Sequence, residues 1–210
     1  MKLQPETSVP LSFPPVLLSK DEGRVAERVA DHLSDCIRSV PSERPVVFVC
    51  VGTDRSTGDS LGPLVGSRLR RYSFSDIHLY GTLDQPVHAM NLNETMCSVH
   101  RDFNNPFIIG IDACLGQLAH IGSIKLSPGP LKPGAGVNKE LPHVGDMHIT
   151  GIVNVGGFME YFVLQNTRLS LVMDLAELIA KGIYISLINC GRITLFSSTL
   201  YREQASSSIE

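Results

Sequence analysis

The chain has 210 residues, of which 43% are hydrophobic and 19% are charged, and its formal net charge is −3. This length suits one medium-sized domain, and this composition excludes a disordered chain and a fibrous repeat. The slightly acidic balance argues against a broadly basic protein that binds nucleic acid or a membrane surface. The chain has no Trp and only 6% aromatic residues, which argues against stacking platforms for bases.

The cysteines and the apolar segments indicate the compartment. Five cysteines, an odd number, are widely spaced and form no CxxC pair, so they indicate small core residues under reducing conditions rather than a zinc ribbon. The first residues lack the apolar core of a signal peptide. The most apolar long segment, residues 169–190, is interrupted by charged side chains. We therefore expect a cytoplasmic protein without a membrane span.

The first half of the chain alternates helix and strand patterns. Residues 1–20 contain four prolines and no period, which predicts an irregular N-terminal arm. Apolar residues at helical spacing predict a helix over residues 21–39, and a continuous β-branched run predicts a buried strand over residues 46–51. The same patterns predict a helix from Leu61 and a strand over residues 78–83.

The second half continues this alternation and then changes character. The patterns predict a helix over residues 87–100 and strands over residues 106–112 and 121–126. A Pro- and Gly-rich segment from Ser127 to Gly151 predicts a long irregular loop. Beyond it, a long helix capped by Thr167 is expected to reach Cys190.

Gly191 is expected to end this long helix. Residues 192–200 are predicted to be a final short strand or an extension, and residues 203–210 a polar tail. The order of elements predicts a single α/β domain over residues 21–202, built as a three-layer α/β/α sandwich around a mostly parallel sheet.

Two acidic residues follow predicted buried strands, and both are candidates for catalysis. In an open α/β sheet, ligands bind beyond the carboxyl ends of the strands. If these strands are neighbours, Asp59 and Asp112 face one crevice, and two close carboxylates cannot both ionise easily. The ionised Asp then takes a proton from water while the protonated Asp polarises a carbonyl. The alternatives are that Asp59 caps the helix near Leu61 and that Asp112 caps the next element or closes a turn.

Other site chemistries have weaker support in the sequence. Gly52 and Gly58 are followed by Asp rather than the Lys of a phosphate-binding loop, and no dinucleotide fingerprint occurs. His143, Asp146 and His148 lack the spacing of a helical zinc motif, although a mixed metal site with the acids stays open. Cys114 has no His placed to activate it, and no serine lies in a nucleophile elbow.

Four segments resemble, in the same order, those of the germination protease of spore-forming bacteria and of a shorter sporulation-associated relative of it. They are Val51-Gly52, Thr57 to Pro63, Ile111-Asp112-Ala113 and Pro133 to Leu141. The resemblance implies an α/β fold shared with the hydrogenase-maturation proteases, and an aspartic-type endopeptidase that needs two Asp residues.

The family's first catalytic Asp lies in its D-x-L-G-P segment, here Asp59, and its second lies in its I-D-A segment, here Asp112. In the hydrogenase branch, acids at these positions and a downstream His hold nickel; the two acids match, but no particular His does. This chain is much shorter than the germination protease and lacks most of its inserted segments, so the same substrate and self-processing do not follow.

The sequence and the resemblance together indicate an aspartic-type endopeptidase of sporulating or germinating bacteria, acting without a cofactor. The substrate would be a protein or peptide, with the small acid-soluble spore proteins as candidates, and neither nucleic acid nor membrane is an expected partner. The apolar C-terminal helix leaves a homo-oligomer open. Candidates for substrate binding or support are Asp54, Gly62, Asn138 and His143. The alternatives are a catalytically inactive protein that binds a peptide or partner, and a metal-dependent maturation peptidase.

Overall fold

The computed structural model describes Leu11 and residues 13–72, 78–134 and 141–193. Strands and helices alternate along most of this part of the chain. The strands are β1 (Val16–Ser19), β2 (Val46–Cys50), β3 (His78–Tyr80), β4 (Phe107–Gly116), β5 (Ser123–Pro128) and β6 (Met147–Val155). The helices are α1 (Val25–Arg38), α2 (Leu61–Arg71), α3 (Leu92–Asp102), α4 (Glu160–Gln165) and α5 (Leu169–Asn189).

The strands form one six-stranded sheet in the order β1-β5-β6-β4-β2-β3. The pairings β2 with β3, β2 with β4 and β4 with β6 are parallel. The pairings of β5 with β6 and of β1 with β5 are antiparallel. The chain therefore moves outward from β2 to β3 and then crosses back to β4 on the other side of β2.

Helices cover both faces of this sheet, because each buried strand carries apolar side chains on alternating sides. On one face, Phe48 and Ile109 belong to a core shared with α1, α2 and α5. On the other face, Val49 and Ile108 belong to a second core with Leu92 of α3. These two cores confirm the predicted three-layer α/β/α sandwich with a mostly parallel sheet.

Three predictions about strands were wrong. The predicted arm over residues 1–20 is regular at its end, where β1 pairs with β5; residues 1–10 and 12 lie outside the described part of the chain. The predicted loop from Ser127 to Gly151 contains the end of β5 and much of β6, which lies between β4 and β5. The strand predicted to end at Asp112 continues to Gly116. Here, pairing with neighbouring strands outweighs weak local patterns.

The last helix begins differently from the prediction, but it ends as predicted. Arg168 rather than Thr167 precedes its first residue, and the Thr167 hydroxyl donates a hydrogen bond to the carbonyl oxygen of Val163 at 2.9 Å. Gly191 follows the helix with φ 64°, the left-handed conformation that glycine adopts at helix ends. Residues 194–210, which include the predicted tail, lie outside the described residues. No described helix is long and apolar enough to span a membrane.

The connection from β2 to α2 is held by close backbone contacts at two glycines. Gly52 has φ 146°, and a Cβ there would overlap the carbonyl oxygen of Asp59. A Cβ on Gly62 would overlap the carbonyl oxygen of Val51. The amide of Thr53 also donates to the carbonyl oxygen of Asp59 at 3.1 Å. The segment between β2 and α2 is therefore folded back tightly against the end of β2.

We predict that Gly62→Ala destabilises the protein. The helical backbone at Gly62 suits alanine, so the effect isolates the overlap with Val51. The expected loss in the free energy of unfolding is about 1–3 kcal/mol, typical of overpacking, and denaturant unfolding measures it. Gly23→Ala is the matched control, because nothing lies within 4 Å of a Cβ there. Equal stability of both variants would contradict the prediction.

Candidate active site

The chain crosses from β3 back to β4, so the strand order reverses between β2 and β4, and we call the space beyond their carboxyl ends the crevice. Such a reversal of strand order is where open α/β sheets bind ligands. β2 ends at Cys50, which pairs with Ile111, so β4 continues beyond its neighbour. Asp112 is the next residue of β4 and flanks the gap that β2 leaves.

Asp59 reaches this crevice from the segment between β2 and α2. It lies in one turn of 3₁₀ helix, Gly58–Ser60, immediately before α2. Neither this turn nor α2 has a side-chain hydrogen bond at its N-terminal cap. Asp59 therefore does not cap a helix, which was the alternative role, and its carboxyl is available to the crevice.

Asp112 lies within β4 rather than at a turn, so its alternative role as a cap or turn residue is also absent. By alternation along β4, its side chain is on the sheet face opposite to Ile109 and Ile111. One carboxylate oxygen accepts a hydrogen bond from the amide of Ala113 at 2.7 Å. The residue keeps some accessible surface, but its carboxyl lies deep among neighbouring atoms.

The pKa shifts of the two carboxyls indicate that they lie near each other, because the charge of Asp59 acts on Asp112. Burial raises the pKa of Asp112 well above its ordinary value of 3.8; the amide of Ala113 acts in the opposite direction, and the charge of Asp59 adds to the increase. Burial also raises the pKa of Asp59, and the nearby Ser56 hydroxyl acts in the opposite direction. The structure thus brings the two acids together, and Asp112 is the one held more firmly in the protonated form.

A third acid, Asp146, has a structural role that differs from the positions of Asp59 and Asp112. Asp146, weighed as a metal ligand from the sequence, accepts hydrogen bonds from Arg44 at 3.1 Å and from the amide of Ile108 at 2.8 Å. In the described part of the chain, neither Asp59 nor Asp112 forms an ion pair with a cationic side chain. Their charges are therefore not used to hold elements together.

The other candidates from the sequence divide into two groups. Gly62 supports the site through its backbone contact with Val51. Asp54 is exposed in a turn, and His143 is exposed before the bridge between Leu131 and Val144; no described contact joins either residue to the acids. Asn138 lies outside the described residues. The structure therefore adds no support for Asp54 or His143 in substrate binding.

Sequence reasoning gave no role to two polar neighbours of the acids, Ser56 and Thr150. Ser56 is 5% exposed, faces the Asp59 carboxyl, and forms no hydrogen bond of good geometry among the described residues. Thr150 on β6 is the cross-strand partner of Asp112, and its side chain hydrogen-bonds with Cys114. Burial raises the pKa of Cys114, which keeps it a thiol and disfavours a nucleophile. Only the proximity of Ser56 to Asp59 in sequence gave any signal.

Among the described residues, no cluster of metal ligands forms at the acids, and a cavity elsewhere is lined by other residues. The described residues contain no group of three or more His, Cys, Asp or Glu side chains suited to a metal ion. His148, weighed as a ligand, hydrogen-bonds through Nδ1 with the carbonyl oxygen of Gly129 at 2.9 Å. The described residues therefore do not fit the nickel site of the hydrogenase branch. A cavity of about 530 Å³ lies between β3 and the start of α3, and neither acid lines it.

The fold and the crevice define a layered α/β protein with two interacting carboxyls at the reversal of its strand order. The chain belongs to the family described as "Protein of unknown function (DUF1256)", whose model matches residues 17–182. This match includes both acids and all six strands except the first residue of β1.

A relative of this chain is "Uncharacterized protein YyaC" of Bacillus subtilis (strain 168). It is 52% identical over 169 residues, which cover 80% of this chain and 82% of the relative. Among solved structures, a [NiFe] hydrogenase maturation protease HycI from Thermococcus kodakarensis KOD1 is 16% identical. It covers 73% of this chain and 99% of its own, with a TM-score of 0.43. This likeness is too low to carry that enzyme's activity to this chain.

We predict that Ser56→Ala raises the pKa of Asp59 further, because the hydroxyl favours the ionised carboxylate. Carbon-13 NMR of labelled aspartate carboxyls measures the pKa, and the missing signal in Asp59→Asn assigns the resonance. Ser42→Ala, at an exposed serine that bonds with Glu43, is expected to leave this pKa unchanged. An unchanged or lower pKa in Ser56→Ala would show that Ser56 does not act on Asp59.

We also predict that Asp112→Asn stabilises the protein at neutral pH. Because the folded state raises the pKa of Asp112, folding opposes ionisation, and stability falls as pH rises from the ordinary pKa of 3.8 through the raised one. The neutral side chain of Asn removes this loss of stability, and its oxygen still accepts the hydrogen bond from the amide of Ala113. Melting temperatures from about pH 4 to pH 8 are expected to show a gain that grows with pH. A gain independent of pH, or a loss at neutral pH, would contradict this assignment.

Proposed function

We propose that this protein is an aspartic-type endopeptidase that hydrolyses peptide bonds at the Asp59 and Asp112 pair. The observation that carries the proposal is the meeting of these two acids, 53 positions apart in the chain, in one crevice at the reversal of strand order. Burial raises the pKa of both. The sequence resemblance to the germination protease of spore-forming bacteria supports the same pair and a role in sporulation or germination.

The unequal environments divide the chemistry between the two carboxyls. Asp59, assisted by Ser56, is the ionised partner and takes a proton from the attacking water as its oxygen bonds to the scissile carbonyl carbon. Asp112, whose pKa is raised more strongly, is the protonated partner and gives its proton to the carbonyl oxygen. When the tetrahedral intermediate collapses, Asp59 passes its proton to the departing amine and Asp112 recovers its own. The two acids then return to their starting states.

We expect Asp59→Asn and Asp112→Asn each to reduce cleavage by at least about 100-fold, because each removes one partner of the proton transfer. Purified protein is incubated with proteins extracted from spores, and fragments are identified by mass spectrometry. Asp84→Asn, at an exposed acid in a turn, is the control and is expected to retain activity.

Two outcomes of this assay would contradict the proposal. Cleavage that persists in both Asn variants would place hydrolysis at another site or in a contaminant. No cleavage by the wild-type protein, together with intact proteins bound at the crevice, would favour the alternative of a peptide-binding protein without catalysis.

A further inference from the structure

Four large apolar side chains, close together in the sequence, are exposed in the segment that follows β6. They form what we call the aromatic ridge: Phe158 (89% exposed), Met159 (61%), Tyr161 (69%) and Phe162 (57%). Exposure of this much apolar surface within five positions is costly in water, and such patches mark interaction sites. Met159 also has φ 55°, a left-handed conformation that is uncommon for a residue with a side chain.

The helix α4, which carries part of the aromatic ridge, packs against the turn that holds Asp59. Leu164, on the inward side of α4, packs against Gly58, the residue before Asp59. A Cβ at Gly58 would overlap the Leu164 side chain, so α4 and the turn that carries Asp59 are in close contact. The Asn154 side chain fixes this arrangement by donating to the carbonyl oxygen of Val163 at 3.4 Å and to the Thr167 hydroxyl at 3.2 Å.

The size of the aromatic ridge fits a short segment of polypeptide better than a second copy of this chain. With about 150–250 Å² for each large aromatic side chain, its exposed area is roughly 500 Å². A stable dimer generally needs about 800 Å² on each partner. The segment of residues 156–166 contains one acid, Glu160, and no Lys or Arg, which argues against a nucleic-acid backbone.

We infer that the aromatic ridge binds an extended apolar segment of the polypeptide substrate and so places its scissile bond over the acid pair. This inference rests on the proposed function. The ridge selects sequences with aromatic or large aliphatic side chains beside the cleaved bond, because these bury the exposed rings. The contribution is to binding rather than to the chemical step, since the proposed proton transfers involve only Asp59 and Asp112.

The test compares the wild type with a Phe158→Ser/Phe162→Ser variant. Both side chains are exposed, so the variant is expected to fold, and its thermal unfolding verifies this. With a cleaved substrate, KM is expected to rise at least 10-fold while kcat changes less than 3-fold, as expected for lost ground-state binding. Met90→Ser is the matched control, because Met90 is 86% exposed but lies before α3.

A second measurement does not require catalysis. In the Asp59→Asn/Asp112→Asn protein, fluorescence anisotropy follows two labelled synthetic peptides, one with Leu and Phe at alternate positions and one with Ser in their place. Tighter binding of the apolar peptide, lost in the Phe158→Ser/Phe162→Ser variant but not in Met90→Ser, supports the inference.

The outcomes separate failure of the ridge from failure of hydrolysis. Asp-dependent cleavage with an unchanged KM in the ridge variant overturns the inference and leaves the proposed function in place. Ridge-dependent peptide binding without any cleavage overturns the proposed function and supports the ridge as a peptide site. A wild-type dimer in sedimentation velocity that dissociates in the ridge variant overturns the inference, because the ridge then belongs to a second copy.

Discussion

Two carboxyl groups in one poorly hydrated crevice cannot both ionise without a cost in free energy, and this constraint organises the functional end of the fold. β2 ends one residue before the level of Asp112, while β4 continues to Gly116. The early end of β2 leaves the gap, and burial in that gap raises the pKa of Asp112 and, less strongly, that of Asp59. The fold therefore maintains an arrangement that works against its own stability, as catalytic sites commonly do.

The crevice is built by backbone contacts rather than by the acids themselves. Gly52 and Gly62 let the segment between β2 and α2 lie against the end of β2, which positions Asp59 without using its carboxyl. Asp146 is the opposite case, because its carboxylate joins Arg44 to the start of β4 and so holds two parts of the fold together. Main-chain contacts at the two glycines position Asp59, and strand β4 positions Asp112. Neither carboxyl is therefore needed to hold the crevice together.

Strong apolar patterns in the sequence made the layered fold and the acid pair predictable. The patterns of β1 and β6 are weak, and these two strands were not predicted. The apolar run of β2 is continuous and the apolar stripe of α1 has helical spacing, so in both elements local propensity and tertiary packing agree. In β6, Gly151 weakens the strand pattern, yet the sheet needs it because Leu61 of α2 fills the space of a Cβ there. β1 follows two prolines and is fixed only by its pairing with β5. The positions of Ser56 and Thr150 beside the acids depend on folded geometry, which no spacing rule reveals.

Water affects the acid pair and the aromatic ridge in opposite ways. The two features are linked through the packing of Leu164 in α4 against Gly58. An open crevice hydrates the carboxyls and weakens their interaction, whereas exposed rings favour any partner that excludes water. A polypeptide seated on the ridge would also cover the crevice, and the lower local dielectric would strengthen the preference of Asp112 for its proton. Binding an apolar segment would in this way prepare the acid that the proposed hydrolysis needs, and a small polar molecule would not have the same effect.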